Sequence, residues 1–316
     1  MEGTLVFGAT GFLGAWVAAQ AHKASRRLAT FADPNGVPVW GIGRQIEQVP
    51  RFSDPRDGVR WEALDLESTV ELEVWLGKRA PERIIGCAGL TRLDDCEADP
   101  ARAQVLNVDI PARIAAWCHG AGVRYLHIST DLVFDGRECP SKGYHEDASA
   151  MPLSVYGRSK LAGEQAVLSA DPAALVVRLP LLYGDSGGRG LGASDSLLAA
   201  VDRGESPQLF VDEWRTPLEV SNAAEALWEL SRSETRGVLH LAGPDRVSRY
   251  DLGIAVLKAM GLAADEAAAC LTPTPREDRK GWDLRPEDAA LRSEMAGSLL
   301  ETELLGLAKG LIRAIG

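Results

Sequence analysis

The chain has 316 residues, of which 46% are hydrophobic, and it carries a formal net charge of −11 at pH 7. A chain of this length can bury a large core, as one large domain or two ordinary ones. The acidic balance argues against nucleic acid or an anionic membrane as a partner, because both attract surfaces rich in Lys and Arg. We expect neither.

Five cysteines are scattered along the chain, with no Cys-x-x-Cys pair and no His spacing suited to zinc. In a chain of this length they predict reduced, cytosolic thiols rather than a disulfide framework. The apolar start MEGTLVFGATGFLGAWVAA lacks the basic region of a signal peptide, carries Glu2 and is interrupted by glycines. No apolar stretch is long enough to span a bilayer, and the acidic residues form no ligand-spaced cluster. We therefore expect a cytoplasmic protein without a metal site.

Short apolar runs alternate with helical patterns through residues 4–184. The predicted strands are residues 4–8, 37–43, 83–89, 124–130 and 174–184, and the predicted helices are residues 12–24, 100–122 and 159–170. Continuous apolar strands that alternate with helices are typical of a parallel sheet covered on both faces. The pattern therefore predicts an α/β fold with a doubly wound parallel sheet.

The pattern changes after residue 184. The segment GDSGGRGLGASDS (184–196) is rich in Gly and Ser and predicts a loop, and one late apolar strand follows at residues 237–243. We expect that strand to return to the sheet, while the other late segments form a smaller, mostly helical substrate lobe over its carboxyl edge, where open α/β sheets bind ligands. The predicted dinucleotide-binding domain is residues 1–184 with 208–245, and the predicted substrate lobe is residues 185–207 and 246–316.

A glycine-rich turn, GATGFLG, follows the first predicted strand and places glycines three residues apart. A turn this tight needs residues without a Cβ, so that backbone N–H groups and a helix N-terminus can meet a pyrophosphate. Its position between a strand and a helix favours a cofactor loop over a structural turn. The cofactor contacts predicted here are Gly8, Thr10, Gly11, Phe12, Leu13 and Gly14.

The end of the second strand indicates which dinucleotide is bound. An NAD site places a carboxylate there for the ribose hydroxyls, whereas an NADP site places a cation for the 2′-phosphate. The strand ends in GIGR, which provides Arg44 and no acid. This favours NADPH over NAD, although Arg44 can also be read as an ordinary surface arginine. Asp65 and Leu66, after the apolar run RWEAL, are predicted to contact the adenine, with an exposed loop position as the alternative for Asp65.

The segment HISTDLVFDG delivers hydroxyl groups to the carboxyl edge of the sheet, at Ser129 and Thr130. Tyr156 follows at the start of the next helix, and Lys160 lies one turn further on. A ketone that accepts hydride develops negative charge on its oxygen and needs a proton donor. A nearby ammonium group and a nicotinamide cation would lower the pKa of a tyrosine placed there. The alternative is that Tyr156 and Lys160 are only two amphipathic side chains on one helix face.

Several stretches, in the same order, resemble the extended short-chain dehydrogenases/reductases and, within them, the dTDP-4-dehydrorhamnose reductase-like family. They are GATGFLG, TRLDDCE, VLNVD, STDLVFDG, SVYGRSKLAGE, VVRLPLLYG and RPEDAAL. The resemblance covers nearly the whole chain. It implies a Rossmann fold, an NADP or NAD cofactor, a nucleotide-sugar substrate and a possible homodimer.

The resemblance also assigns roles to individual residues. It implies a catalytic set of Thr130, Tyr156 and Lys160, with Ser129 beside it. It implies that Asn107 holds a water behind the lysine, with a helix-kink asparagine as the alternative. Further cofactor contacts fall on Cys87, Ala88 and Gly89, where the family more often has Asn-Ala-Ala. The predicted substrate contacts are Thr91, Asp131 and Val133. A nucleotide-sugar also needs cations for its diphosphate, and Arg215 and Arg285 are the candidates, with simple pairing to nearby acids such as Glu213 and Glu287 as the alternative.

The residue after Asp131 separates the possible reactions. Sugar-nucleotide 4,6-dehydratases, which the chain also resembles, have an Asp-Glu pair there, whereas this chain has Leu132. Dehydration is therefore disfavoured. A 4-epimerase stays open, although such enzymes hold NAD and Arg44 favours NADPH. Reduction of a keto group fits best, and a regulatory subunit like the beta subunit of methionine adenosyltransferase is the non-catalytic alternative.

Overall fold

The computed structural model describes residues 3–27, 37–48, 58–67 and 72–315, and every predicted site residue lies in these ranges. A parallel sheet of seven strands forms the centre, in the order β11-β6-β5-β4-β1-β2-β3. These strands are β1 (Thr4–Phe7), β2 (Val39–Gly43), β3 (Val59–Ala63), β4 (Arg83–Gly86), β5 (Arg124–Thr130), β6 (Leu175–Leu179) and β11 (Gly237–His240). The doubly wound parallel sheet of the prediction is thus confirmed.

Helices cover both faces of the sheet. One face packs on α1 (Phe12–Arg27) and α8 (Val220–Ser231), with Val6, Leu126 and Val177 among the buried strand residues. The other face packs on α2 (Leu72–Arg79), α5 (Ile110–Ala121) and α6 (Val155–Ala170). Strands β1, β2 and β6 are buried along their whole length, which explains why they read as continuous apolar runs rather than alternating ones.

The strand order reverses at β1, which has β2 on one side and β4 on the other. From β1 the sheet is extended first on one side, by β2 and β3, and then on the other side, by β4 and the later strands. The carboxyl ends of β1 and β4 therefore border a crevice, which is where open α/β sheets bind ligands. The glycine-rich turn follows β1 directly, and the hydroxyl-bearing end of β5 lies beside β4. The topology therefore brings these two motifs to the same edge.

Three predicted elements differ in detail. The predicted strand 174–184 is divided at Pro180 into β6 and β7 (Leu182–Tyr183). The predicted helix 159–170 begins earlier, at Val155, because Ser154 caps it by accepting a hydrogen bond from the Gly157 N–H at 3.0 Å. The predicted helix 100–122 consists of α4 (Pro100–Gln104), a π-helical turn (Val105–Asp109) and α5.

The late part of the chain is largely helical, as expected. It contains α7 (Gly192–Asp202), α9 (Arg249–Ala259), α10 (Ala264–Ala269), α11 (Glu294–Leu299) and α12 (Leu307–Ile315). Short strand pairs lie between them, formed from β7 with β10 (Leu218–Glu219), β9 (Trp214–Arg215) with β12 (Val247–Ser248), and β8 (Gln208–Phe210) with β13 (Thr272–Thr274). A short α-helix, α3 (Leu93–Ala98), precedes α4. The late strand 237–243 does return to the sheet, as β11 beside β6, while the lobe boundaries stay a prediction.

Two features are absent from the described ranges. No helix there combines the length and the apolar character needed to cross a bilayer. Nor do three or more His, Cys, Asp or Glu side chains of those ranges gather in a group that could hold a metal ion.

Candidate active site

A cavity of about 770 Å³ opens at the carboxyl edge of the sheet. Nineteen of the predicted site residues line it, and three do not: Lys160, Asn107 and Val133. The residues that line it are Gly8, Thr10, Gly11, Phe12, Leu13, Gly14, Arg44, Asp65, Leu66, Cys87, Ala88, Gly89, Thr91, Ser129, Thr130, Asp131, Tyr156, Arg215 and Arg285. The sequence motifs therefore meet in one place, although they are far apart in the chain.

The glycine-rich turn forms one wall of the cavity and has no room for larger residues. Gly8 has a φ of +72°, and a Cβ there would lie 2.6 Å from the Ala88 nitrogen. A Cβ on Gly14 would lie 2.3 Å from the Gly8 carbonyl oxygen. The turn thus packs closely on α1 at Gly14 and on the segment after β4 at Gly8. It presents backbone to the cavity, which fits a dinucleotide pyrophosphate at the start of α1.

A second glycine-rich segment, which the sequence marked only as a loop, lies across this turn. The Trp16 indole N–H donates to the Asp185 carbonyl oxygen at 2.7 Å. The Arg189 guanidinium donates to the carbonyl oxygens of Thr10 and Gly11. The segment that precedes α7 is therefore bound to the predicted cofactor turn, and Arg189 is a residue that the sequence analysis missed.

Charged side chains gather at the end of the cavity beyond β2. Arg44 Nη1 lies 4.0 Å from Glu67 Oε1, and Arg102 donates to the same oxygen with an Nη2 distance of 3.0 Å. Arg102 comes from α4 and was not predicted, because nothing in its local sequence relates it to the end of β2. Asp65 accepts a hydrogen bond from the Glu67 N–H at 3.0 Å and is exposed in a turn.

Tyr156 is buried at the start of α6, beside Leu132 and Cys96. Burial raises the pKa of Tyr156, and hydrogen bonding with the Thr130 hydroxyl opposes the rise. The expected lowering by Lys160 is absent, because the lysine is directed elsewhere. Tyr156 therefore holds its proton at neutral pH, which is the form needed for a proton donor.

The two hydroxyls at the end of β5 point to different partners. Thr130 donates to Asp131 Oδ1 at 3.1 Å and accepts from the Leu132 N–H at 3.2 Å. Ser129 donates to Glu164, which is paired with Arg178 through an Nη2–Oε2 contact of 2.7 Å. Ser129 lines the cavity, but its hydroxyl proton is engaged in this buried ion pair.

Lys160 is 4% exposed and lies behind the cavity wall. Its Nζ donates to the Ile128 carbonyl oxygen at 2.6 Å and lies 3.3 Å from His127 Nε2. Burial lowers the pKa of Lys160 to about 8, while Glu164 one turn on acts in the opposite direction. The ammonium group is thus held by β5 and titrates near neutrality.

Asn107 lies in the π-helical turn, and its amide is fully engaged. Its Oδ1 accepts the Leu90 N–H at 2.8 Å, and its Nδ2 donates to the Leu90 carbonyl at 2.9 Å and to Ser159 Oγ at 2.9 Å. Asn107 therefore joins the end of β4 to α6. This geometry favours the helix-kink interpretation, because both amide hydrogens are already used.

Another part of the cavity is lined by a cluster of charged side chains, of which Arg215, Asp131 and Glu213 are buried. Arg215 lies 3.3 Å from Asp131 and 3.4 Å from Glu213, and Arg285 lies 3.9 Å from Glu213. Arg249, another residue not predicted, lines the same region at the start of α9. Three arginines face two carboxylates, so the cluster carries a net positive charge that can attract an anionic substrate group.

Val133, a predicted substrate contact, lies outside the cavity, as do two tryptophans of the late part of the chain. Val133 is fully buried in an apolar cluster with Phe134, so its side chain has no contact with the cavity. Trp214 carries the Arg246 guanidinium 4.4 Å above its ring, and Trp282 is 42% exposed. Neither tryptophan lines the cavity.

Named relatives are mainly reductases. A probable low-salt glycan biosynthesis reductase of Haloferax volcanii is 32% identical over 223 residues, which are 70% of this chain and 72% of that protein. A dTDP-4-keto-6-deoxy-D-glucose reductase of Streptomyces niveus is 29% identical over 252 residues, 79% of this chain and 84% of that protein. The methionine adenosyltransferase 2 subunit beta of Xenopus laevis is 30% identical over 264 residues, 82% of this chain and 72% of that protein.

Solved structures share the fold. The dTDP-4-dehydrorhamnose reductase of Bacillus anthracis in complex with NADP has a TM-score of 0.79 at 20% identity, over 99% of each chain. MoeE5 in complex with UDP-glucose and NAD has a TM-score of 0.76 at 22% identity, over 99% of this chain and 97% of that one. The family described as the RmlD substrate binding domain matches residues 1–315. The chain therefore belongs to this family, within the extended short-chain dehydrogenases/reductases.

Proposed function

We propose that the protein reduces the keto group of a sugar nucleotide, a 4-keto sugar in the first instance, with NADPH as reductant and Tyr156 as proton donor. The observation that carries the proposal is the meeting of Tyr156 and Thr130 with the glycine-rich turn in one cavity. Lys160 lies one helical turn behind the tyrosine. The names of the relatives in Haloferax volcanii and Streptomyces niveus support reductase chemistry.

The chain's own residues fit a nicotinamide dinucleotide. The Gly8–Gly14 turn lines the cavity at the start of α1, and a Cβ on Gly8 or Gly14 would collide with backbone of the turn or of the segment after β4. Arg44 and Arg102 flank Glu67 at the far end of the cavity and supply two cations for one carboxylate. This charge balance favours a 2′-phosphate there and is the basis for proposing NADPH over NAD.

Each residue has a distinct part in the proposed reaction. A bound NADPH supplies the hydride. Tyr156 keeps its proton because burial raises its pKa, so the proton can move from Tyr156 Oη to the carbonyl oxygen as negative charge develops there. Thr130 shares this site and, by turning its hydroxyl away from Asp131, can donate to the same oxygen. Lys160, charged below about pH 8 and held on β5, supplies a positive charge one helical turn behind Tyr156.

The charged side chains at the substrate end of the cavity favour the binding of an anionic substrate group. Arg215, Arg249 and Arg285 line this end together with Glu213 and Asp131. A net positive charge in a half-enclosed site suits a diphosphate. The names of the relatives, which refer to dTDP sugars and to glycan biosynthesis, agree with a nucleotide-sugar.

A non-catalytic role is the second candidate, because one relative is a subunit beta of methionine adenosyltransferase. The buried Tyr156 and Lys160 argue for catalysis, since a binding partner has no need of a proton donor in its cavity. A 4-epimerase is disfavoured by the two arginines beside Glu67, and a dehydratase by Leu132. The proposal includes a cytoplasmic location and a possible homodimer.

The decisive experiment is a panel of 4-keto sugar nucleotides, with NADPH oxidation followed by absorbance. We expect turnover with at least one of them, and a loss of about 10²- to 10⁴-fold in kcat for Tyr156→Phe. Tyr250→Phe, outside the cavity, is the matched control and should retain the parent rate. Full turnover by Tyr156→Phe, or no NADPH oxidation with any member of the panel, would overturn the proposal.

A further inference from the structure

A buried histidine lies behind the lysine of the proposed catalytic set. His127 is in β5, and its side chain is 1% exposed. Its Nε2 lies 3.3 Å from Lys160 Nζ, and its Nδ1 lies 3.3 Å from Tyr125 Oη. The side chains of Lys160, His127 and Tyr125 therefore form a chain of contacts that leads from α6 to β5.

The neighbours of His127 define which ring nitrogen carries the proton. Burial, together with the charge of Lys160, holds the pKa of His127 well below its usual value, so the ring is neutral. An ammonium group has only donors, so the Nε2 that faces Lys160 presents its lone pair. The proton is then on Nδ1, where Tyr125 Oη accepts it.

Lys160 depends on β5 for the acceptors that replace its lost hydration. The shorter contact, 2.6 Å, is to a backbone carbonyl, and the second is to His127 Nε2. Asn107 offers no further amide hydrogen for a water, because its two are donated to Leu90 and Ser159. A buried ammonium that loses one acceptor is left partly unsatisfied, which disfavours its charged form.

The other ionisable groups around Lys160 come from four elements. Tyr156 and Glu164 lie on α6 itself, Cys87 follows β4, Tyr125 lies on β5, and Arg178 of β6 is paired with Glu164. Of these, Glu164 is the one carboxyl group, and Arg178 and Ser129 both donate to it. The imidazole is therefore the side-chain acceptor that faces the lysine directly.

We infer that His127 is a positioning residue for Lys160. The neutral imidazole of His127 holds the lysine ammonium group charged and in place against β5. The expected effect of His127 on turnover rests on the proposed function. The titration of Lys160 can be measured independently of turnover, on the protein without substrate.

The test compares lysine titrations by NMR in protein labelled with ¹³C-lysine, with the Lys160 signal assigned from Lys160→Met. Lys160 of the parent should titrate near pH 8. His127→Leu removes the acceptor and should lower the Lys160 pKa by about one unit, with kcat about tenfold lower and the alkaline limb of the pH–rate profile shifted downward. His127→Gln places an amide oxygen near the position of Nε2. This variant should restore the Lys160 pKa, kcat and the alkaline limb toward their parent values. His119→Leu, at a largely exposed histidine, is the matched control.

A second variant keeps the test decisive if His127→Leu does not fold. Tyr125→Phe removes the acceptor of the Nδ1 proton and should shift the Lys160 titration in the same direction by a smaller amount. Identical Lys160 titration curves in the parent and in the folded variants would overturn the inference. If the titrations shift as expected while no keto sugar nucleotide oxidises NADPH, the positioning role stands and the proposed function fails.

Discussion

Arg215 Nε lies 3.3 Å from Asp131 Oδ2 beside the cavity, and both side chains are 5% exposed. Burial raises the pKa of Asp131 to about 6, although the charge of Arg215 and the Thr130 hydrogen bond oppose the rise. The same carboxylate accepts the Thr130 hydroxyl. This ion pair therefore connects the proposed substrate-binding cations with the hydroxyl that lies beside Tyr156.

The two halves of this ion pair should respond unequally to mutation. Arg215→Met leaves two buried carboxylates without their shared cation and should lower the free energy of unfolding by about 3–5 kcal/mol. Asp131→Asn should lower it much less, because burial already disfavours the Asp131 charge and Glu213 still neutralises Arg215. Urea denaturation at neutral pH measures both changes. Arg203→Ala, in an exposed pair with Glu205, is the control and should cause no resolvable change. Equal losses for Arg215→Met and Asp131→Asn would contradict this account.

The pH dependence of turnover should follow Lys160. Burial lowers its pKa to about 8, so the lysine is charged below that pH and neutral above it. If the Lys160 charge assists proton transfer from Tyr156, kcat/KM falls as the pH rises through about 8. Rates measured from about pH 6 to about pH 10 test this, with Lys258→Met, at an exposed helical lysine, as the control. A rate that continues to rise above pH 8 is incompatible with the assigned role.

Gly8→Ala should abolish cofactor binding and destabilise the fold. The φ of +72° disfavours any Cβ, and the added methyl group would lie 2.6 Å from the Ala88 nitrogen. Isothermal titration with NADPH and thermal unfolding measure the two effects. Gly120→Ala is the matched control, because a Cβ there meets nothing within 4 Å inside α5. That change should be neutral or stabilise the protein by up to about 1 kcal/mol. Parent-like NADPH affinity in Gly8→Ala would rule out the proposed role of this turn in cofactor binding.

The arginines beside Glu67 should decide the preference for NADPH. Arg44→Ala and Arg102→Ala should each raise the KM for NADPH about tenfold and leave the KM for NADH nearly unchanged, because only NADPH carries the 2′-phosphate. Glu67→Gln removes the competing carboxylate and should lower the KM for NADPH. Initial rates with both cofactors measure this, and Arg26→Ala, at an exposed residue near the end of α1, is the control. Equal KM changes for the two cofactors would refute the assignment.

Arg189→Ala should affect both cofactors alike. The arginine holds the carbonyl oxygens of Thr10 and Gly11 and does not depend on a 2′-phosphate. Loss of these contacts should lower the binding affinities for NADPH and NADH by the same factor, about threefold to tenfold. Cofactor titration by tryptophan fluorescence measures it. An effect confined to NADPH would instead place Arg189 at the phosphate end of the cofactor.

The order of the motifs was sufficient to predict much of the site. Gly8, Thr130 and Tyr156 each follow a strand or begin a helix that the local pattern identifies, and parallel strands end at one edge. Arg102, Arg189 and Arg249 were missed for the opposite reason. Each stands in a segment with no local signature, and each acquires its position through contact with a distant part of the chain.

The sequence by itself determined the parallel sheet, the cofactor turn and the Tyr156–Lys160 pair, because strand periodicity, glycine spacing and helical register are local properties. Only the tertiary structure decided the directions of the polar side chains. It directed Lys160 to β5, Ser129 to Glu164 and Arg215 to Asp131. These choices depend on burial, since a charged or hydrogen-bonding group removed from water must find its partner wherever the fold supplies one.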